Sequence, residues 1–344
     1  MQRRRRRRHL RIGVRMALCG IGLALVSVAC RALLPLAAPS APPANLLMLL
    51  PCVGTTHAAE ALAASAQAAY NPMLKVYNAQ NGKLETQTLE AYVLCVVTGE
   101  VPASFGDEAI KAQAVAARTL AAYKMRALGG KGCSKHPEAD VCTDSGHCQA
   151  YAANTDNARL GALAAATAGE VITYGGKPIQ VFYHSTSGGQ TEDVQNVFSA
   201  QLPYLISVPS AGEEASPRFS GEVTVPRKRF IQKINDAHPK ARLKDATLEA
   251  SVTIAKRNAS GRVAMVTLGS DSATGIEMRK LFGLNSANFT IQVTARQVVF
   301  RTIGFGHGVG MSQVGANAMA ASGVDYRAIL AHYYTDTTLQ RLAP

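Results

Sequence analysis

The chain has no tryptophan, and aromatic residues make up only 6% of its 344 positions. That scarcity weakens, without excluding, an aromatic-rich carbohydrate-binding module. Charged residues are also sparse at 17%, against 47% hydrophobic. Such a composition excludes a disordered chain and a polytopic membrane protein. No internal repeat, glycine-rich phosphate loop, nucleophile elbow or repeating βαβ unit is present. Acidic residues are missing altogether before Glu60.

Basic residues fill that gap. The formal charge of +13, from 36 Lys+Arg against 23 Asp+Glu, first suggests an anionic polymer such as nucleic acid. Nine arginines lie within residues 1–31, and without them 27 basic groups face 23 acidic ones, a net of +4. An apolar stretch, Met16–Ala29, adjoins the arginine run, and Leu33–Ala38 extends it beyond Arg31. This layout suits a single-pass membrane anchor with its basic end in the cytoplasm, or a cleaved signal peptide. Either one exports the rest of the chain, so no nucleic-acid partner is expected. Residues 1–38 read as this leader, 39–71 as an Ala/Pro-rich linker, and 72–344 as the folded part.

The order of segments in the folded part indicates α+β: helices mixed with antiparallel hairpins in one domain. Met73–Tyr77 alternates like a strand, and Leu89–Val97 and Asp107–Leu128 have helical spacing. Ser104 or Asp107 marks the cap of the second helix. Glu170–Tyr174 and Ile179–Tyr183 read as a hairpin around Gly175-Gly176. Cys95 falls in an apolar helical run and reads as a buried thiol.

Three segments and one loop carry candidate chemistry. Glu100 is a lone carboxylate at a helix break between apolar segments, where burial keeps such a group protonated as a general acid. Lys111, Gln113 and Arg118 follow on the next helix, and Lys111 and Arg118 share a face. A helix-capping Glu100 with two solvated cations is the plainer reading. The second segment, His184-Ser185-Thr186-Ser187-Gly188-Gly189, lets backbone approach a polar ligand; an ordinary polar turn is the alternative. The third, Gly304 to Gln313, packs four glycines around His307 ahead of a helix whose N–H groups suit a polar substrate; a tight core turn is its alternative. The loop at 130–149 holds His136, Cys142 and Cys148, with Cys133 and His147 nearby, a donor set suited to Zn²⁺. A Cys142–Cys148 disulfide is the rival there.

Taken together, three stretches carry a resemblance: LEAYVLCVVTGEVPASFGDEAIKAQAVAARTLAAYK (89–124), VFYHSTSGGQTEDVQNVF (181–198) and GFGHGVGMSQVGANAMAASGVDYRAILAHYY (304–334). The chain resembles the stage II sporulation protein D family, related to the amidase-enhancer domain, from about residue 72 to its end. The resemblance implies a membrane-anchored lytic transglycosylase that cleaves peptidoglycan glycan strands in forespore engulfment. It implies strands already stripped of stem peptides by a partner amidase, sporulation protein P, with sporulation protein M as membrane scaffold. The catalytic glutamate falls on Glu100 and its supporting cations on Lys111 and Arg118. Structural zinc falls on His136, Cys142 and Cys148, with His147 keeping the third ligand open. Gln113, His184, Ser185, Ser187, Gly188, Gly189, His307 and Gln313 are expected along the glycan groove. A non-catalytic, glycan-binding enhancer of an amidase is the alternative function.

Overall fold

The structure, a computed structural model, describes residues 70–153 and 155–344; the expected anchor and nearly all of the expected linker lie outside the described residues. Strands β1 (Met73–Asn78) and β2 (Lys83–Thr88) form an antiparallel hairpin turned at Asn81-Gly82. Thr88 then caps α1 (Leu89–Glu100), its hydroxyl accepting from Ala91 N. The helix stops because Val101 precedes a proline, which disfavours helical dihedrals; Val101 is extended.

Helix α2 (Asp107–Lys124) is the centre of the domain. Thirteen of its 18 residues are buried, so no solvated stripe remains. Its alanines let neighbours approach on two sides. Ala112, Val115, Ala116 and Leu120 face one core; Ile110, Ala114, Ala117 and Ala121 face a second. Neither Ser104 nor Asp107 caps it. Gly106 holds that position, and its N–H donates to Asn317 Oδ1 at 2.7 Å. The flanking elements are α3 (Ala158–Ala166) and β3 (Glu170–Tyr174). The expected β3 hairpin is shorter than read: Thr173 pairs with Pro178 and Tyr174 with Lys177, and the Ile179 N–H donates to Ile172 O. Tyr183–His184 instead pairs parallel with Met311–Ser312, joining two of the three motif segments.

Between residues 219 and 303 the chain builds a lobe with its own core. It contains β4 (Ser220–Pro226), α4 (Arg227–Ala237), β5 (Val252–Arg257), β6 (Val263–Leu268), α5 (Gly275–Phe282), β7 (Phe289–Val293) and β8 (Gln297–Ile303). Phe230, Phe282, Phe289 and Phe300 pack ring against ring at its centre. Strand β4 pairs antiparallel with β8, so the lobe begins and ends at neighbours, Ser220 opposite Ile303. Helices α6 (Gln313–Ala321) and α7 (Tyr326–Tyr333) close the fold against α2. The architecture is α+β, as expected. Among the described residues no helix is long and apolar enough to cross a membrane.

Candidate active site

Glu100 is the last residue of α1, at the floor of a groove of about 610 Å³. Its Oε1 accepts from Ala150 N at 2.7 Å and from the Tyr183 hydroxyl at 3.1 Å; its Oε2 accepts from Gln313 Nε2 at 3.2 Å. Burial pushes the carboxyl above its ordinary pKa, and the three donors pull only partly the other way. The negative end of the α1 dipole adds to the upward push.

Gly99 explains how the backbone reaches this carboxyl. A Cβ there would stand 2.8 Å from Tyr151 N, so only glycine lets segment 150–151 lie against the helix end. The network continues behind Glu100. The Tyr183 hydroxyl also lies 2.8 Å from Gln149 Oε1, and Gln149 Nε2 donates to Tyr92. Tyr183 has one proton to share between Glu100 and Gln149. A protonated Glu100 removes that conflict by donating to Tyr183 itself.

The glycine-rich third segment shapes one wall. Gly304, Gly306, Gly308 and Gly310 all have positive φ, as four clustered glycines suggested. At Gly306 a Cβ would meet His184 Cβ at 2.7 Å. His184, Ser185, His307 and Gln313 line the groove with a stacked Phe182–Phe198 pair. His184 donates through Nδ1 to Val309 O, and its buried Nε2 has no protein partner. Burial lowers the pKa of both histidines, His307 to about 4, with Arg279 and Arg262 adding to the effect. Both rings are therefore neutral near pH 7. The N-terminus of α6 does not face the groove with free amides: Val314 N donates to Ser185 O and Gly315 N to the Ser312 hydroxyl.

Several expected residues stand elsewhere. Arg118 is fully buried and makes a two-pronged bond to Glu90, both contacts 2.7 Å, plus bonds to the Ala164 and Glu170 carbonyls. It locks α1, α3 and β3 together and does not touch Glu100. Lys111 pairs with Glu108 at 2.7 Å and lies over the Tyr326 ring. A shared face of α2 does not lead to Glu100, because α2 is packed on all sides. Gln113 sits behind Gln313 and accepts from it at 3.4 Å. Ser187 and Gly188 also lie behind the groove, both donating to the buried carboxylate of Glu213. Gly189 pairs with Ser210 in a short ladder away from Glu100. Glu213 and Glu192, two buried organising carboxylates, carried no signal in the sequence because each also draws donors from distant segments, Ser187, Gly188 and Ser312 for Glu213 and Asn258 and Ser260 for Glu192.

In the 130–149 loop, Cys133, Cys142, His147 and Cys148 offer four ligand atoms within 4.8 Å of one another. His136 is not among them: its ring stacks on Tyr77 at 3.6 Å. The three sulfurs lie 3.5, 3.3 and 3.4 Å from His147 Nδ1. One ring nitrogen cannot hydrogen-bond three thiols at once. An N–S edge of about 3.6 Å is what tetrahedral zinc with ordinary bond lengths requires. His147 Nε2 meets the Ser134 hydroxyl at 3.0 Å, an orienting contact of the kind metal-bound imidazoles make. The four cysteines of the described residues are free thiols, so the Cys142–Cys148 disulfide is not formed. The residues fit zinc.

The fold and groove thus define an α+β domain with an inserted lobe and one protonatable carboxyl at the floor of a long cleft. Residues 77–174 match the family described as Stage II sporulation protein. The stage II sporulation protein D of Bacillus subtilis (strain 168) is 32% identical over 281 residues, covering 77% of this chain and 78% of that protein. The protein of the same name from Bacillus amyloliquefaciens is 33% identical over 271 residues, 75% and 76% of the two chains. An amidase enhancer of Bacillus subtilis (strain 168) is 28% identical over 293 residues, 71% of this chain and 39% of that one. The chain belongs to the stage II sporulation protein D family, a family of sporulation proteins.

Proposed function

We propose that the chain is a lytic transglycosylase acting on peptidoglycan glycan strands, with Glu100 as its only acid and base. The observation that carries this reading is that Glu100 is the one carboxyl among the described residues lining the 610 Å³ groove. Glycosidases that use water need two carboxyl groups flanking the bond. A single carboxyl suffices when the substrate supplies its own nucleophile. Protonated Glu100 gives its proton to the glycosidic oxygen between N-acetylmuramic acid and N-acetylglucosamine, and the C1–O bond breaks. The carboxylate so formed takes the proton of the muramyl C6 hydroxyl, whose oxygen bonds to C1 and closes a 1,6-anhydro ring. The proton count balances and no water is consumed. Tyr183, Gln313 and Ala150 N–H hold the carboxyl in place through both steps. His184 Nε2, a buried acceptor, suits a sugar hydroxyl or amide.

Zinc would be held by Cys133, Cys142, His147 and Cys148, and supplies a structural cross-link. Cys148, Gln149 and Ala150 are consecutive, so that cross-link would fix the segment that bonds Tyr183 and Glu100. The reading includes engulfment during sporulation, an N-terminal membrane anchor with the catalytic domain outside the cytoplasm, and strands stripped by a partner amidase with sporulation protein M as scaffold. The similarity to an amidase enhancer supports a second reading, a non-catalytic glycan-binding subunit. Incubating the full-length chain and Glu100→Gln with purified denuded strands separates the two. Anhydro-muramyl ends, read by mass spectrometry, are expected from the wild type and reduced about 10²–10⁴-fold in the variant. Strand binding without product supports the enhancer; equal turnover by both proteins overturns the mechanism.

A further inference from the structure

The catalytic groove does not end at His307. A second cleft of about 320 Å³ continues from it across the inserted lobe, sharing Val197, Ile276, Arg279, Gly306 and His307. Arg279 stands where the two join. Its Nε donates to Leu284 O at 3.3 Å, and it has no acidic partner among the described residues. Among the described residues the only carboxylate lining the second cleft is Glu192, and four donors already satisfy it: Asp193 N, Asn196, Asn258 and the Ser260 hydroxyl. Glu192 also balances the neighbouring Arg262, which is itself bound to the Gln190 and Ser187 carbonyls. Burial depresses the Arg279 pKa with no nearby acid to offset it. Lys256 lines the same cleft and makes no ion pair among the described residues.

Charge is distributed to match. Residues 219–303 hold 14 basic against 6 acidic side chains, a net of +8, whereas residues 70–218 and 304–344 together hold 13 against 16, a net of −3. The cationic character of the described chain is therefore concentrated in the lobe that carries Arg279 and Lys256.

We infer that Arg279, assisted by Lys256, forms an anion subsite that binds a carboxylate carried on the same glycan strand whose bond lies at Glu100. This rests on the glycan reading above. A strand stripped of peptide bears a free lactyl carboxylate on each muramyl residue, whereas a strand with its peptides has an amide there. A guanidinium fork binds a carboxylate through two parallel N–H···O bonds and gains little from an amide. Arg279 is thus the residue that selects stripped strands.

The test uses denuded strands and the same strands with their carboxylates converted to methylamides. Binding is measured with the full chain carrying Glu100→Gln, so that cleavage plays no part. Blocking the carboxylates is expected to weaken binding about tenfold or more. In the Glu100→Gln/Arg279→Gln protein the two strands should bind alike. Equal binding of both strands by the parent, no strand binding at all, or an undiminished preference after Arg279→Gln overturns the proposal. Should Arg279→Gln fail to fold, judged by circular dichroism, Lys256→Gln takes its place and is expected to narrow the preference. Product analysis of the wild type reports separately on cleavage: a carboxylate preference without anhydro ends refutes the lyase and leaves the subsite standing.

Discussion

Glu100 stores a cost that a measurement can recover. Its carboxyl is held above the ordinary value of 4.5 chiefly by burial. Between that value and the raised one, the folded chain keeps a proton that the unfolded chain releases, so stability falls as pH rises through this window. Glu100→Gln removes the titration and keeps a hydrogen-bonding side chain. The variant should therefore melt higher than the wild type at pH 7, and the difference should shrink as pH falls below the ordinary glutamate range. Thermal unfolding across pH 4–8 checks it; a wild type whose melting is less pH-sensitive than the variant's rules it out. Glu100 was legible because Pro102 announces a helix end. Arg279 was not, since an unpaired arginine on a short amphipathic helix looks the same in sequence as a solvated one.

At the scale of elements, the contact between the end of α1 and segment 150–151 is the joint on which the surroundings of Glu100 depend. Gly99→Ala puts a methyl group against Tyr151 N, where 2.8 Å is available. The gain in helix propensity, about 1 kcal/mol, works against an overpacking cost of about 1–3 kcal/mol. Moving the segment also takes Ala150 N–H from Glu100, a donor that lowers its pKa. The expected result is a modest loss of stability together with an alkaline shift in the falling limb of the pH–rate profile. A profile unchanged in position shows that the segment has not moved. Helix α2 shows why part of the site was misread. Lys111 and Arg118 do lie seven residues apart, but a helix buried all round has neighbours on every face, and spacing does not say which neighbour a side chain meets. Arg118 went to Glu90 on α1, and removing it would leave that partly buried carboxylate and the Ala164 and Glu170 carbonyls without their donor, at a cost of about 1–3 kcal/mol. The donor set of the 130–149 loop was legible in composition but not in membership. The short strand Val141–Cys142 pairs with β1 at Val76 and Tyr77, and the Tyr77 ring takes His136 in a stack, leaving His147 to face the thiols.

At the scale of the whole molecule, the groove is lined both by His147 and Cys148 of the Cys/His cluster and by Ile276 and Arg279 of the inserted lobe. Chain prepared with zinc is expected to hold one ion, read by elemental analysis, and to release it to a strong chelator. The metal-free chain should then be cut by protease within residues 130–149 well before the rest of the domain, and Cys133→Ser should behave like chelation. Identical proteolysis with and without the metal argues against a structural ion. The α+β class followed from the mixture of helical and strand-like segments. The lobe did not emerge as a separate core, because α4 shows only Phe230 and Ile234 as buried residues among basic and polar neighbours.

The pairing of β4 with β8 places Ser220 opposite Ile303, so the chain enters and leaves the lobe at a single doorway. A segment with adjacent ends can lengthen, shorten or be replaced in the course of evolution without rethreading the rest of the chain. Glu100, Tyr183 and Gln313 all lie outside that doorway, and Arg279 lies within it. Descendants of one ancestral fold can in this way keep the hydrogen-bond network around Glu100 while changing the lobe that borders it, by remodelling one continuous stretch of gene.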